Sequence, residues 1–490
     1  MALATLCLAL AAGTQASETA GNPNLPGGLA DRPSAKVLVT VHPEQPGVAI
    51  PADFLGFSYE KSTLAGNHFN PTNRVMVNLF RNLGDGVLRL GGNLVEFTYW
   101  SRTSTERLSS EKEPTKINPQ TLGPLELDKL YAFAKQTGWR VVHGLNLGAN
   151  NPAMAADEVA YALQVGGPTV LAFEIGNEPD LYLRNWPTRP PLRPAGYEYA
   201  QYRQEVETYD RAILNRMPHA PLAGPATAKN SQWFPDFVAD SKTCIVLATS
   251  HFYPLWAGEK DPQGAKFASV ENLLSPKTEQ VWMPFIEKNQ KAASAAGIPF
   301  RLGECNSASG GGVTGVSDSF ASALWGADFL FDTAERGLAG INFHSGFKAG
   351  GYTPFYYRDN HYHANPIYYS MLLFHQAARG RVVPVAFQTP INLTVYAMLG
   401  DDHKLRVVLL NKDMVHPVVA VVAPGSARAK AEVIRLTAPS LTSNDGVTLA
   451  GSAVGDAGTW TPQPGEPVPA VNGRFEVALP AASAALLTIE

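Results

Sequence analysis

A chain of 490 residues, with 45% hydrophobic and 17% charged side chains, is long enough for one large folded domain and a smaller second one. Its formal net charge of −4 excludes the overall basic balance that attracts nucleic acids or anionic membrane surfaces, so we expect neither as a partner. Cysteine and histidine do not show the spacing of a metal site, and we predict neither a metal nor a cofactor.

The N-terminus has the features of an export signal. The run from Leu3 to Ala12 is apolar but too short to cross a bilayer, and small residues around Ala16 offer a cleavage site. We therefore predict a signal peptide over residues 1–16 and a secreted or periplasmic protein; a ragged N-terminus is the alternative, since no Lys or Arg precedes the run. Residues 17–35, rich in Pro, Gly and Asn, are expected to form a flexible lead-in.

Eight strand-and-helix units follow one another along residues 51–379. The apolar, β-rich runs that we predict as strands are Phe54–Tyr59, Val87–Leu90, Arg140–Leu147, Val170–Ile175, Leu222–Gly224, Ile245–Phe252, Phe300–Gly303 and Leu338–Phe343. Helical patterns follow them at Thr72–Leu83, Leu125–Gln136, Ala155–Gln164, Tyr197–Arg216, Gln232–Ser241, Lys277–Ala296, Ser319–Arg336 and Ile367–Ala378. Eight such units predict a (β/α)8 TIM barrel of the α/β class, since the alternative, a doubly wound open sheet, rarely has so many.

The pattern changes after Arg379, where short β-rich segments separated by turn residues replace the helices. These segments are Val382–Val385, Leu393–Tyr396, Leu405–Leu410, Val418–Val422, Ala431–Leu436 and Phe475–Leu479. They predict an antiparallel β-sandwich over residues 380–490, and the alternating strand Lys36–Val41, within residues 36–50, is expected to join it. We interpret this domain as packing support for the barrel, and a separate binding function is the alternative.

Two glutamates end predicted barrel strands. Glu178 comes just after the fourth strand, between Asn177 and Pro179, and Glu304 ends the seventh. The C-terminal ends of barrel strands form the rim where TIM-barrel enzymes carry out their chemistry, so the two carboxylates can converge across the mouth. Such a pair can cleave a glycosidic bond, because one acid protonates the leaving oxygen while the other attacks or activates water. A helix-capping or ion-pairing role for Glu178 is the alternative.

These motifs resemble glycoside hydrolase family 79, the heparanase and β-glucuronidase family, within the clan of retaining glycosidases built on this barrel. The resemblance rests on Phe173-Glu174-Ile175-Gly176-Asn177-Glu178-Pro179, on Leu88-Arg89-Leu90-Gly91-Gly92-Asn93, and on Gly303-Glu304 followed by Gly310-Gly311-Gly312. The segment Pro366-Ile367-Tyr368-Tyr369 also resembles the family's helix after the eighth strand. The resemblance covers roughly Lys36 to Glu490 and implies a retaining glycosidase with a carbohydrate substrate.

The resemblance assigns a role to each glutamate. It implies that Glu178 is the general acid/base and that Glu304 is the nucleophile. Asn177 can then hydrogen-bond the sugar 2-hydroxyl, a contact that strengthens in the transition state. Tyr253, just past the sixth strand, is a candidate donor to the ionised Glu304, and packing at the rim is its alternative role. Asn93, at the end of the second-strand motif, is a further candidate substrate-binding residue.

The glycines after Glu304 bear on the substrate. In family 79, backbone N–H groups of this run and a tyrosine after the eighth strand bind the glucuronate carboxylate, and the matching positions are Gly310, Gly311 and Tyr368. Bare amides can bind an anion closely because glycine has no side chain. A flexible loop is the alternative. Ser309 departs from the pattern, because family members often carry a tyrosine there, which supplies an aromatic wall and a hydroxyl donor.

The ends of the cleft decide between exo and endo cutting. An endo-acting enzyme on sulfated chains needs a basic groove, whereas the basic residues predicted near the mouth are scattered: Arg102, Arg184, Lys229 and Lys348. Residues 346–364 form a long loop rich in Tyr and Phe, which can close one end of the cleft. We therefore predict a retaining exo-β-glucuronidase. An endo-acting, heparanase-like enzyme is the first alternative, a non-catalytic carbohydrate-binding relative is the second, and the sequence predicts no particular oligomeric state.

Overall fold

The structure is a computed structural model that describes residues 35–103, 120–185, 191–228, 231–426 and 428–490. Its centre is a closed barrel of eight parallel strands, Gly56–Glu60, Val87–Gly91, Arg140–Leu145, Val170–Ile175, Leu222–Thr227, Ile245–Phe252, Phe300–Cys305 and Gly340–His344. We number these strands first to eighth in chain order, and the eighth pairs with the first to close the ring. The barrel confirms the predicted fold. The predicted signal peptide lies outside the described residues.

Helices follow the barrel strands. They are Arg74–Arg81, Pro124–Thr137, Pro152–Gly166, Tyr199–Arg216, Trp233–Ser241, Val270–Leu274, Pro276–Ala296, Phe320–Glu335 and Pro366–Ala377. Local sequence explains where they begin: the side chain of Asn151, for example, accepts the N–H of Met154 at 3.0 Å, and Pro152 occupies the first helical position. Within the described part of the chain, no helix has the length and apolar character needed to cross a membrane.

Side chains inside the barrel form two layers, because successive residues of a strand point to opposite sides. One layer is apolar and contains Val87, Val142, Ala172, Ala223 and Leu247. Two residues further along the second, fourth and sixth strands, the same inward face carries Arg89, Glu174 and Thr249, all of them completely buried. The polar layer therefore lies nearer the C-terminal rim, where the two glutamates are expected.

Two sheets form the C-terminal β domain. The first contains, in spatial order, Val385–Ala386, Ala35–Val41, Val418–Ala423, Arg474–Leu479 and Ala470–Val471. The second contains Arg381–Val383, Leu393–Leu399, Leu405–Asn411, Ser483–Ile489, Ala431–Thr437 and Thr448–Leu449, with Glu466–Val468 paired beside Ala431–Thr437. Pairing is antiparallel, as predicted for the sandwich, except that Ala35–Val41 runs parallel to Val418–Ala423. The N-terminal strand thus completes a sheet that is otherwise built from C-terminal residues.

A buried polar cluster joins the β domain to the barrel. Asp328 lies in the helix after the seventh strand, and its Oδ1 accepts hydrogen bonds from Thr394 Oγ1 at 2.7 Å and Tyr396 OH at 2.9 Å. The buried ammonium group of Lys412 donates to the other carboxylate oxygen. A buried charge is tolerated when it is paired and hydrogen-bonded, so this cluster needs both domains in place. The contact favours the interpretation of the β domain as packing support.

Small two-stranded sheets build up the rim of the barrel. Leu255–Trp256 pairs with Ala308–Ser309 beyond the sixth and seventh strands, and Thr98–Trp100 pairs with Gln120–Leu122 beyond the second strand. The hairpin of Phe355–Arg358 and His361–Ala364 follows the eighth strand. All of these lie at the C-terminal ends of barrel strands, which is the side on which Glu178 and Glu304 occur.

Candidate active site

The turn after the fourth strand holds Glu178 at the mouth of the barrel. Gly176 has a φ of +79° and Glu178 has a φ of +51°, left-handed conformations that are uncommon outside glycine. Two hydrogen bonds hold this shape: the N–H of Asn177 donates to Glu96 Oε1 at 2.7 Å, and the N–H of Glu178 donates to the carbonyl of Ala226 at 2.9 Å. The strained backbone is therefore held in place by its neighbours, and it fixes where the Glu178 side chain begins.

Glu304 is held at both of its carboxylate oxygens. Oε1 accepts a hydrogen bond from the hydroxyl of Tyr253 at 2.8 Å, and Oε2 accepts one from Nη1 of Arg89 at 2.9 Å. Burial by itself would raise the pKa of this carboxyl. The neighbouring side chains of His344, His251 and Arg89 outweigh burial and, with the tyrosine hydroxyl, hold the pKa well below its usual range. Glu304 is therefore an ionised, oriented carboxylate, as a nucleophile requires.

Arg89 connects the parts of the site. Its guanidinium is completely buried and donates not only to Glu304 but also to Glu174 Oε2 at 2.6 Å and to Asn177 Oδ1 at 2.8 Å. Burial disfavours the charged guanidinium, but the two carboxylates more than compensate and raise the pKa of Arg89. Among the described residues, the buried Nδ2 of Asn177 has no hydrogen-bond partner. This amide group is therefore available to donate to a bound substrate.

Glu178 and Glu304 face each other across a short gap. A carboxylate oxygen of each and a ring nitrogen of His251 all lie within 4.8 Å of one another. Nδ1 of His251 is 3.0 Å from Glu178 Oε1 and 3.9 Å from Glu304 Oε2. This separation suits direct attack by one carboxylate, since room for an intervening water needs about 6.5–9.5 Å. The same three side chains could hold a metal ion, but a metal there would occupy both acids.

The glycine run after Glu304 is an exposed, sharply turned backbone beside the mouth. Gly310, Gly311 and Gly312 have φ values of +86°, +96° and +82°, a succession that residues with a side chain rarely adopt. Gly310 and Gly311 are exposed, and a Cβ added at Gly311 would meet nothing within 4 Å. The carbonyl of Gly311 accepts the N–H of Tyr352 at 3.3 Å, so the run lies against the segment that follows the eighth strand.

Tyr352 brings an aromatic ring and a hydroxyl to the same place. Its ring centroid lies 6.0 Å from that of Tyr253 and 5.9 Å from that of His344. Burial, followed by the charge of Glu304, raises the pKa of Tyr352 well above its ordinary value, so the hydroxyl remains a donor. Nδ2 of Asn306 fixes this segment by donating to the carbonyls of Tyr352 and His344, both at 2.9 Å.

Tyr368 does not reach the mouth, and the structure contradicts its predicted contact with the substrate carboxylate. It lies in the first turn of the helix Pro366–Ala377, is completely buried, and donates its hydroxyl to the carbonyl of Leu79. A side chain on the inner face of a helix packs into the core, and here that face meets the helix Arg74–Arg81. Tyr352 is instead the tyrosine after the eighth strand that lies beside Gly311.

Two further groups at the site received no role from the sequence. Glu60 ends the first strand, its Oε2 accepts the N–H of Leu94 at 2.7 Å, and burial, with a contribution from the charge of Glu304, raises its pKa to about 8. Arg89 is the second. The sequence contained a signal for both residues. Glu60 ends a strand as Glu304 does, and Arg89 is a charged residue inside an apolar strand, where it needs an internal partner.

Asn93 starts a 3₁₀ helix after the second strand and is exposed, and its substrate contact stays a prediction.

Several known proteins are similar in sequence. Residues 395–486 match the family model described as the glycosyl hydrolase family 79 C-terminal beta domain. The chain is 27% identical over 346 residues to a β-glucuronidase of Neurospora crassa, a match that covers 63% of the chain and 60% of that protein. It is 24% identical over 318 residues to the heparanase of Mus musculus, covering 63% of the chain and 55% of that protein. The chain thus spans 60% or less of the length of these two relatives.

Solved structures show the same fold. The crystal structure of a 4-O-α-L-rhamnosyl-β-D-glucuronidase from Fusarium oxysporum matches with a TM-score of 0.78 at 20% identity, covering 92% of the chain and 100% of that one. A GH51 arabinofuranosidase from Xanthomonas axonopodis pv. citri matches with a TM-score of 0.66 at 13% identity, covering 93% of the chain and 100% of that one. The family model and the curated relatives confirm the resemblance to glycoside hydrolase family 79 that was found in the sequence, and the solved structures, both at 20% identity or less, show the shared fold.

Proposed function

We propose that the protein is a retaining β-glucuronidase that removes terminal β-linked glucuronic acid from glycosides or oligosaccharides. The observation that carries the proposal is the approach of Glu178 and Glu304 to within 4.8 Å at the C-terminal rim of the barrel. A retaining glycosidase needs such a pair, one residue as acid and the other as nucleophile. Curated relatives named β-glucuronidase, from Neurospora crassa and Aspergillus niger, support this choice of reaction.

The contacts of the two glutamates distinguish their roles. Glu304, ionised and held by Arg89 and Tyr253, attacks the anomeric carbon and forms a glycosyl–enzyme ester while the bond to the leaving oxygen breaks. Glu178, whose Oε1 lies 3.0 Å from His251 Nδ1, donates its proton to that oxygen. Water then enters, Glu178 removes a proton from it, and attack on the ester releases the sugar with its β configuration.

Asn177 acts on the sugar beside the nucleophile. Because its Oδ1 accepts from Arg89, the orientation of the amide is set and Nδ2 is the atom left to face the substrate. A donor at this place can bind the sugar 2-hydroxyl, whose hydrogen bonds strengthen as the oxocarbenium-like transition state forms. The arrangement supports catalysis because it is present before substrate arrives and needs no reorganisation.

The uronate preference rests on Gly310, Gly311 and Tyr352. A uronic acid differs from a neutral hexose by a carboxylate on C5, and exposed backbone N–H groups together with a phenol can donate to that group. The glycine run and Tyr352 are in contact through the Gly311 carbonyl, so both can reach one bound group. The Ser309 hydroxyl adds no donor to this group, because it is directed to the carbonyl of Leu255, 3.5 Å from its Oγ.

Exo action is supported by the surroundings of the mouth. The hairpin after the eighth strand packs against the loop after the first strand, where Tyr362 OH lies 2.7 Å from Nδ1 of His68, and the two together can close one end of a cleft. Of the scattered basic residues, Arg102 is bound to Asp157, and Lys229 lies outside the described residues. An endo-acting enzyme is the second candidate, favoured by the match to heparanases.

Hydrolysis of a chromogenic aryl β-glucuronide tests the reaction, with the matching β-glucoside and β-xyloside as comparisons and Glu304→Gln as the inactive control. Release of single glucuronic acid units from a glucuronate-terminated oligosaccharide would support exo action. Cleavage of heparan sulfate to oligosaccharides would support the endo-acting candidate instead. A folded wild-type protein that binds the glucuronides and hydrolyses none of them would contradict both.

A further inference from the structure

Trp256 is an exposed aromatic residue beside the proposed active site, and the mechanism above gives it no role. It is 41% exposed, follows Tyr253 by three residues, and pairs in register with Ser309, which precedes Gly310. We propose that Trp256 is the platform on which the first ring of the leaving group, or aglycone, stacks. This inference rests on the proposed function, since it presumes a glycoside bound between Glu178 and Glu304.

The backbone of Trp256 is held rigidly. Its N–H donates to the carbonyl of Lys266 at 2.9 Å, and its carbonyl accepts the N–H of Glu259 at 3.1 Å. The preceding residue, Leu255, is 1% exposed and belongs to the hydrophobic core, so it anchors the strand. A preformed aromatic surface loses little conformational freedom when a ligand stacks on it, and most of the stacking energy is then available for binding.

The indole ring is also seated in one place. A Cβ atom added at Gly258 would come within 2.4 Å of Cζ2 of Trp256, so the ring lies directly over this glycine. A side chain at position 258 would have to displace the ring. The indole thus lies against the backbone at Gly258, while 41% of the residue is exposed to solvent. An apolar ring held in this way can bind a flat ligand.

The side of the site on which Trp256 lies points to the leaving group. The sixth strand carries His251, which is nearer to the acid Glu178, at 3.0 Å, than to Glu304, at 3.9 Å. Tyr253, two residues beyond His251, donates to Glu304 at 2.8 Å, so the rim beyond this strand adjoins both carboxylates and the glycosidic bond that has to lie between them. In the sugar, the ring oxygen lies between C1 and C5. In the proposed complex, Trp256, whose register partner Ser309 precedes Gly310, therefore flanks the glycosidic bond on the ring-oxygen side, where the first ring of the leaving group can reach the indole.

Ser309 leaves room for the indole. Trp256 and Ser309 are register partners in a parallel pair, so their side chains lie on the same face of the two-stranded sheet. An aromatic side chain at position 309 would compete with Trp256 for the space on this face. With serine there, Trp256 supplies the aromatic surface. The ligand that fits is an aglycone with a planar aryl ring or a pyranose ring next to the scissile bond, in preference to a short alkyl group.

The test compares the wild type, Trp256→Ala and Trp256→Phe on methyl β-glucuronide, an aryl β-glucuronide and a glucuronate-terminated disaccharide. For Trp256→Ala we expect kcat/KM to fall about tenfold or more on the two ring aglycones, mainly through KM, and to stay within about twofold on the methyl glycoside. Trp256→Phe should retain most of the wild-type activity. Met414→Ala, which removes an apolar side chain that is 44% exposed in the C-terminal β domain, is the control for loss of exposed apolar surface and should change none of the three.

Equal losses on the methyl and ring glycosides would overturn the proposal, because Trp256 would then support the fold or the sugar site. No loss on any substrate would overturn it as well. A binding measurement separates this proposal from the proposed function: aryl and methyl glycosides of glucuronic acid, glucose and xylose are titrated into Glu304→Gln with and without Trp256→Ala. If the wild type cleaves no glucuronide, the proposed function fails, and selective weakening of the aryl glycosides by Trp256→Ala still decides the role of the indole.

Discussion

Nη1 of Arg89 donates to Oε2 of Glu304 at 2.9 Å, between a side chain that is fully buried and one that is 8% exposed. The same guanidinium holds Oδ1 of Asn177, so one side chain orients both the proposed nucleophile and the amide expected at the 2-hydroxyl. Glu174 also accepts a hydrogen bond from Arg89, and its charge helps to compensate for the cost of burying the guanidinium. The ionisation of Glu304 and the position of Asn177 therefore depend on the same residue.

Arg89→Lys should separate charge from geometry. A lysine keeps the positive charge but has no planar fork of donors, so it cannot serve Glu174, Glu304 and Asn177 together. We expect kcat on an aryl β-glucuronide to fall roughly 100-fold or more with a smaller change in KM, and the free energy of unfolding to fall by about 3–5 kcal/mol. Urea unfolding and steady-state kinetics measure the two effects.

Arg102→Lys is the control for this substitution. Arg102 pairs with Asp157 at the surface, with 38% of its side chain exposed, so it should affect kcat and the free energy of unfolding little. A well-folded Arg89→Lys variant with wild-type kcat would show that the guanidinium does not organise the site.

The roles of the two glutamates can be told apart by the leaving group. Glu304→Gln should abolish hydrolysis of every substrate, because the ester cannot form. Glu178→Gln should impair poor leaving groups far more than nitrophenolate, which needs little protonation. Rates on a nitrophenyl and an alkyl β-glucuronide measure the difference. An equal loss on both substrates in Glu178→Gln would remove it from the acid role.

Much of the fold follows from local sequence. The fourth and sixth strands, Val170–Ile175 and Ile245–Phe252, have the bounds predicted from short apolar runs rich in β-branched residues. The strand Ser483–Ile489 was not predicted, because alanine is common in it and favours strands weakly. Its place is set by pairing with Leu405–Asn411 on one side and Ala431–Thr437 on the other, which are contacts distant in sequence.

The site also contains residues that could be predicted from the sequence and one that could not. Glu178 and Glu304 could be placed from the sequence because the ends of parallel strands reach one rim whatever the loops do. The tyrosine after the eighth strand could not, since Tyr352 and Tyr368 differ only in how the intervening segment folds. The hairpin Phe355–Arg358 and His361–Ala364 separates them, leaving Tyr352 beside Gly311 and Tyr368 in the core.

The product should retain the configuration of the substrate. Glu178 and Glu304 have carboxylate oxygens within 4.8 Å, which leaves no room for a water between the sugar and the nucleophile. Two displacements at the anomeric carbon then give the β anomer. Proton NMR of the first-formed glucuronic acid, recorded before mutarotation, tests this outcome, and an α anomer would show that the reaction inverts.

Glu60 should set the alkaline limit of activity. Burial raises its pKa to about 8, so its carboxyl is neutral below that pH and ionised above it. Ionisation adds a negative charge near Glu304 and Tyr352, which disfavours a substrate carboxylate, so kcat/KM on the glucuronide should fall above about pH 8. Glu60→Gln stays uncharged and should extend activity to higher pH. The same alkaline fall in Glu60→Gln would assign the limit to another group.

Substrate selection should depend on Tyr352 and not on Tyr368. If Gly310, Gly311 and Tyr352 bind the uronate carboxylate, kcat/KM on the aryl β-glucuronide should exceed that on the β-glucoside by orders of magnitude, because a bound glucoside would cover these donors and leave them unpaired. Tyr352→Phe should narrow that ratio, because it loses about 1–3 kcal/mol of transition-state stabilisation on the glucuronide and little on the glucoside.

Tyr368→Phe is the control. It should keep the ratio and lower the free energy of unfolding by about 1 kcal/mol, since it loses the hydrogen bond to Leu79. A narrowed ratio in Tyr368→Phe alone would return the carboxylate contact to that helix. A wild type that hydrolyses the glucoside as well as the glucuronide would refute uronate recognition and leave the two-glutamate chemistry intact.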